Sequence, residues 1–137
     1  YAHTPDSLRE VYKIFNDRPK IAVLGAAGGG RDRWKRPVMG TIISEHCRLI
    51  ILTNEDPYDE SPEVIVNNIV RGIKQTPYKI VMDRRLAIRE ALVEAKDGEV
   101  VIITGKGTDP FIMGPRGTKI PWDDAMVVRE ELRATQI

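Results

Sequence analysis

The chain has 137 residues, 42% of them hydrophobic and 30% charged, which suits one soluble globular domain with room for a core. A net charge of +1 gives no global case for nucleic acid or an anionic membrane as partner, and no apolar run approaches a membrane span or a signal peptide. A single cysteine, Cys47, excludes an internal disulfide, and with only His3 and His46 beside it the ligands for a structural zinc site are too few; the cytoplasm is the expected compartment.

The first residues, Tyr1-Ala2-His3-Thr4-Pro5-Asp6-Ser7, begin without an initiator Met and read as cut from something longer. Thr4 can cap a helix with Pro5 at its first position and Asp6 in its first turn. Leu8, Val11, Tyr12 and Phe15 recur at helical spacing and give that helix one apolar face. His3 stands just ahead of the cap, as a solvent-exposed loop histidine or as a group facing a ligand. Asn16-Asp17-Arg18-Pro19 ends the helix, and Ile21 to Leu24 reads as a buried strand.

Gly25 to Pro37 follows, a glycine-rich turn that runs into Arg31, Asp32, Arg33, Lys35 and Arg36. Strand, glycine-rich turn, cationic stretch and helix is how an α/β domain presents backbone N–H groups and fixed charge at one edge of its sheet. An anionic or carboxylate-bearing partner is implied; the alternative is a glycine-rich loop beside solvated charges. The strict dinucleotide spacing G-x-G-x-x-G is not met.

A second helix is expected over Pro37 to Cys47, with Val38, Ile42, Ile43 and His46 on its inner face, and a second strand over Arg48 to Leu52. The polar loop Thr53 to Pro62 comes next; Ser61 caps and Pro62 opens a third helix carrying Val64, Ile65, Asn68 and Ile69. Tyr78 to Met82 reads as a third strand, and Asp83 caps a helix through about Lys96 whose Leu86, Ala87, Ile88, Ala91, Leu92 and Ala95 form a broad buried stripe. Glu99 to Thr104 is the fourth strand. Phe111-Ile112-Met113 and Thr118-Lys119-Ile120 flank Gly114-Pro115-Arg116-Gly117 as a hairpin, and Pro121-Trp122-Asp123-Asp124 introduces a last helix with Val127, Val128 and Leu132.

This alternation predicts an α/β fold: a Rossmann-like, mostly parallel sheet with helices on both faces. In such a sheet ligands bind outside the carboxyl ends of the strands. The loops leaving Leu24, Leu52 and Thr104 would carry Arg31, then Glu55 and Asp56, then Lys106 and Asp109 to that edge. Mixed sign suits a zwitterion better than a polyanion. No Ser/His/Asp or Cys/His nucleophile set is legible, and Cys47 reads as a packing residue at a helix end. Gly105-Lys106-Gly107-Thr108 has the residue types of a phosphate loop but lacks the first glycine at the required distance; alone, it is a flexible turn.

Tyr1-Ala2-His3-Thr4-Pro5-Asp6, Gly29-Gly30-Arg31-Asp32 with Lys35-Arg36-Pro37, Asp83-Arg84-Arg85 with Ala87-Ile88, and Gly105-Lys106-Gly107 together resemble the C-terminal domain of the Mur ligases, closest to the branch that adds the third amino acid of the peptidoglycan stem. The resemblance runs in order over almost the whole chain. It implies that residues 1–137 are the amino-acid-delivering domain of a three-domain enzyme, with an N-terminal UDP-sugar domain and a central ATPase domain absent here. The reaction implied is ATP-dependent amide formation through an acyl phosphate. The partners implied are those two domains, the incoming amino acid and a UDP-MurNAc-peptide, with neither nucleic acid nor membrane.

Carried over by motif, Arg31 holds the amino acid's carboxylate, and Gly105 and Asp109 receive its α-amino end. Glu55-Asp56-Pro57-Tyr58 takes the place of the Asp-Asn-Pro-Arg signature that reads the side chain. His3 and Lys106 lie where the family closes on the nucleotide. ATP and Mg²⁺ serve the full-length enzyme and are not expected on this domain alone, which carries no catalytic residue or metal ligand and should be inert when isolated. The alternative is a stand-alone module that binds an amino acid or nucleotide and regulates other proteins.

The chain departs from the pattern in three places. The Asp that usually precedes Tyr-Ala-His is missing, Thr108-Asp109 stands where His-Glu is common, and Tyr58 replaces the signature Arg. A phenol offers no charge, and Glu55, Asp56, Asp59 and Glu60 make the loop acidic. An added carboxylate would then be repelled and an ammonium welcome, which predicts lysine or ornithine as substrate over meso-diaminopimelate.

Overall fold

The computed structural model describes residues 2–30 and 32–135. Four strands form a parallel sheet: β1 (Lys20–Leu24), β2 (Leu49–Leu52), β3 (Tyr78–Ile80) and β4 (Val100–Ile103), in the order β3-β2-β1-β4. Ile21 to Leu24 of β1 lie opposite Leu49 to Leu52 of β2, and Lys20 to Val23 lie opposite Val100 to Ile103 of β4. β1 and β2 are buried at every position, because helices cover both faces and leave neither side to water.

The period of two along the strands sorts the core into two layers. Ala22, Leu24, Ile50, Leu52 and Ile102 face α1 (Pro5–Ile14), α2 (Lys35–His46) and α3 (Pro62–Val70), where Leu8, Tyr12, Met39, Ile42, Ile43, Ile65 and Ile69 pack on them. Ile21, Val23, Leu49 and Ile51 face α4 (Arg84–Glu94) and α5 (Asp124–Thr135), meeting Ala87, Ile88, Ala91 and Val127. The small residues of α4 let it lie close to the sheet.

Helix starts follow the expected caps: the side-chain oxygens of Thr4, Ser61 and Asp83 accept from the amides of Ser7, Val64 and Leu86. α2 begins at Lys35, two residues ahead of Pro37, without a side-chain cap. Leu86 departs from the predicted α4 stripe; it is 45% exposed. β3 is exposed at all three positions because it is the sheet's edge. Cys47 is buried at the end of α2, where burial pushes its thiol up to about 12, consistent with a packing role. The hairpin forms as β5 (Phe111–Met113) and β6 (Lys119–Pro121), antiparallel, with a turn of 3₁₀ helix between them. No helix of the described residues is long and apolar enough to cross a membrane.

Candidate functional site

The four strands run parallel with β1 between β2 and β4, so the loops leaving them lie together at the carboxyl edge of the sheet. Three loops and the hairpin meet there, and Asp56 is the knot. Its carboxylate accepts from Lys106 Nζ at 2.8 and 2.9 Å and from the Met113 amide at 2.8 Å, while its carbonyl accepts from the Gly28 amide at 2.7 Å. Lys106 is 1% exposed, and the Asp109 carboxylate lies 3.6 Å from its ammonium on the other side. Such a buried pair persists because each charge is matched and hydrogen-bonded.

Glycine is required at two of these junctions. A Cβ on Gly28 would stand 2.0 Å from the Pro57 carbonyl oxygen. Gly105 has φ of 107°, and a Cβ there would come within 2.5 Å of Glu55 Oε2. Both loops therefore approach the β2 loop more closely than any side chain permits.

A second knot ties the β1 loop to the β2 loop. Arg36, 1% exposed, grips Glu60 with its two terminal nitrogens at 2.7 and 2.9 Å and also reaches Asn68 Oδ1 and the Ala27 carbonyl. Glu60 in turn accepts from the Gly30 amide at 3.1 Å. The hydrogen bonds of Arg36 hold the Glu60 carboxyl down at about 2, well below the usual carboxylate range. Asp59 accepts from the Arg116 amide at 2.7 Å, and Arg116 adopts φ of 56° at the hairpin tip.

Between the β1 and β2 loops lies a cavity of about 230 Å³, whose walls include His3, Asp32, Lys35, Glu55, Asp56 and Tyr58. Glu55 is 6% exposed, and its carboxylate carries no hydrogen bond among the described residues. Burial pushes its carboxyl up to about 7; Arg84 and Lys106 pull it down, and Asp56 and Asp109 push it up. Lys106 is committed to Asp56 and Arg84 to Asp124, so neither cation is dedicated to Glu55. A buried acid with no counter-ion of its own can receive an ammonium.

Of the residues singled out in the sequence, His3, Glu55, Asp56 and Tyr58 share the cavity wall. Pro57 and Gly105 are buried in the supporting loops, and Asp109 sits half-buried beyond Lys106. Arg31 lies outside the described residues, directly after Gly30. Tyr58 is at φ of 53°, 40% exposed, with its amide donating to the Met113 carbonyl.

The acidic loop predicted to repel a carboxylate is corrected here. Asp56 is neutralised by Lys106, Glu60 by Arg36, and Asp59 accepts from a backbone amide; among the described residues the Glu55 carboxylate accepts no hydrogen bond. The acidity that favoured lysine or ornithine over diaminopimelate is therefore largely cancelled, while Tyr58 still stands in place of the signature Arg. Sequence reasoning placed Arg36 and Arg84 in motifs but missed that both are buried ties, because their partners lie tens of residues away and leave no local pattern.

The family model "Mur ligase, glutamate ligase domain" matches residues 1–107. The chain is 44% identical over 136 residues to the UDP-N-acetylmuramoyl-L-alanyl-D-glutamate–2,6-diaminopimelate ligase of Aquifex aeolicus, covering 96% of this chain and 28% of that protein. It is 42% identical over 142 residues to the ligase of the same name from Caldanaerobacter subterraneus, covering 99% and 29%. A solved structure of a ligase of that name superposes with a TM-score of 0.89 at 34% identity, over 100% of this chain and 29% of that one. The chain thus spans less than a third of the length of these relatives.

Proposed function

Since the chain belongs to the Mur ligase family as its glutamate ligase domain, we propose that it presents the incoming amino acid in an ATP-dependent ligase that extends a UDP-MurNAc-dipeptide by its third stem residue. The amino acid proposed is a diaminopimelate, for which relatives 44% and 42% identical to this chain are named. The observation that carries the reading is the cavity between the β1 and β2 loops, with the unengaged Glu55 carboxylate on its wall.

In this reading Arg31, which follows Gly30 in the sequence, holds a carboxylate of the substrate in paired hydrogen bonds. Glu55 receives an ammonium, and Gly105 and Asp109 take the α-amino end. Asp56 and Pro57 shape the pocket with Tyr58, whose rigid ring beside Gly29 limits its width. His3, on the cavity wall, is assigned to the nucleotide side and to closure against the rest of the ligase. Lys106 is assigned there too, indirectly, since its ammonium is spent on Asp56.

In this reading the metal-bound nucleotide is held outside this chain. Among the described residues no group of three His, Cys, Asp or Glu side chains is placed to hold a metal ion, and Lys106 is buried rather than presented to a phosphate. ATP and Mg²⁺ are assigned to the central domain outside this chain, where phosphorylation makes the acceptor carboxylate reactive. The residues of this chain hold the zwitterion so that its α-nitrogen meets the activated carbonyl in one orientation, which turns a bimolecular attack into a nearly intramolecular one. The remaining domains, the UDP-sugar substrate and a cytoplasmic location belong to the same proposal.

A competition assay tests it. The full-length ligase should incorporate meso-diaminopimelate in preference to lysine when both are offered with ATP and the UDP-MurNAc-dipeptide. Preferential incorporation of lysine would restore the electrostatic expectation drawn from Tyr58 and its acidic neighbours.

A further inference from the structure

Arg84 opens α4 and is 3% exposed, yet it lies behind the rim rather than on the cavity wall. Its Nε and Nη2 donate to the two carboxylate oxygens of Asp124 at 2.9 and 2.8 Å. The remaining donors reach main chain: Nη1 meets the Asn54 carbonyl at 3.0 Å and Nη2 the Thr104 carbonyl at 3.2 Å. Asn54 immediately precedes Glu55, and Thr104 immediately precedes Gly105. Asp124, at the start of α5, also accepts from Trp122 Nε1 at 2.6 Å, just past the end of β6.

One planar guanidinium thus spans the ends of two strands, the start of a helix and the foot of the hairpin. We propose that Arg84 is a positioning residue that sets the separation of the β2 and β4 loops, and through it the geometry of the amino-acid pocket. The inference rests on the function proposed above. The Gly105–Glu55 approach makes the spacing consequential: a Cβ on Gly105 would come within 2.5 Å of Glu55 Oε2, so the β4 loop packs directly against the carboxylate assigned to the substrate. Only a fixed fork of several donors can bind a carboxylate on one side and two carbonyls on the other; a lysine ammonium has the charge but not the span.

The test uses the full-length ligase carrying Arg84→Lys, with Michaelis constants measured separately for the amino acid and for ATP, and melting followed alongside. Arg84→Lys should raise the amino-acid KM about ten-fold, as expected for loops displaced by a fraction of an ångström, while the ATP KM stays within about two-fold. Ile88→Val, a core change on the same helix, serves as the control for lost stability and should leave the amino-acid KM unmoved. An unchanged amino-acid KM in Arg84→Lys, or an equal rise in Ile88→Val, overturns the inference. Where Arg84→Lys fails to fold, Asp124→Asn decides by the same readout: it keeps the Trp122 contact and removes the charge that orients the guanidinium. A wild-type ligase that takes up no amino acid would instead overturn the function on which this rests.

Discussion

A buried carboxylate without a hydrogen-bond partner costs stability, and among the described residues Glu55 is such a group. Its folded-state value of about 7 lies above the ordinary 4.5, so the folded state holds the proton more tightly than the unfolded state. The wild-type chain must then lose stability as pH rises from about 4.5 to about 7, and keep that deficit above it. Glu55→Gln should match wild type near pH 4 and exceed it at pH 8 by on the order of 2 kcal/mol, read from urea midpoints at the two pH values. Equal midpoints at pH 8 would show that Glu55 is already compensated. The same variant should weaken amino-acid use, since a neutral amide cannot pair with an ammonium; stability is given up where binding needs it. For Arg31, replacement by Ala should cost about 2–4 kcal/mol in amino-acid kcat/KM, the range for losing a buried charge-assisted contact. Unchanged kinetics would mark a solvated arginine. At this scale the sequence reveals residue types and their loops, since strand ends are visible from apolar runs. It does not reveal that Asp56 pairs with Lys106 across 50 positions while Glu55 next door stays unengaged.

Elements were more legible, because their signals are local. Thr4, Ser61 and Asp83 each act as the cap their position implies, and the turn residues Gly114 to Gly117 do close a hairpin. Leu86 was misread because helical spacing identifies a stripe but not its edges, and α4 is narrow enough in contact that only Ala87, Ile88 and Ala91 are buried apolar positions. The start of α2 was misplaced because no capping side chain marks it. That start is held instead by Arg36 and Glu60, a clip between elements. With Glu60 at about 2 rather than 4.5, its stabilisation is fully present above the ordinary carboxylate range and fades as pH falls toward 2. Glu60→Gln should therefore destabilise the chain at pH 7 by about 3 kcal/mol, the cost of leaving a buried partner uncompensated, and should flatten the acid limb of its stability curve. Wild-type steepness between pH 4.5 and 2 in the variant would assign that limb to other carboxylates.

At the scale of the molecule, the parallel order and the covering of both sheet faces follow from strands that are apolar throughout and alternate with helices. Parallel strands turn that pattern into a site, since the cavity lies between the loops at the carboxyl ends of β1 and β2. The charge of the substrate loop was not legible in the same way. Counting acids in Glu55 to Glu60 gave a negative loop, whereas folding brings Lys106 and Arg36 from distant segments to cancel most of it. The central claim is that this domain delivers a diaminopimelate to an ATP-dependent ligase. The most direct measurement is mass spectrometry of the product formed by the full-length enzyme from UDP-MurNAc-dipeptide, ATP, and an equimolar mixture of meso-diaminopimelate and lysine. The expected product is the UDP-MurNAc-tripeptide carrying diaminopimelate, formed only with ATP; a lysine-bearing tripeptide, or no tripeptide at all, would contradict the claim.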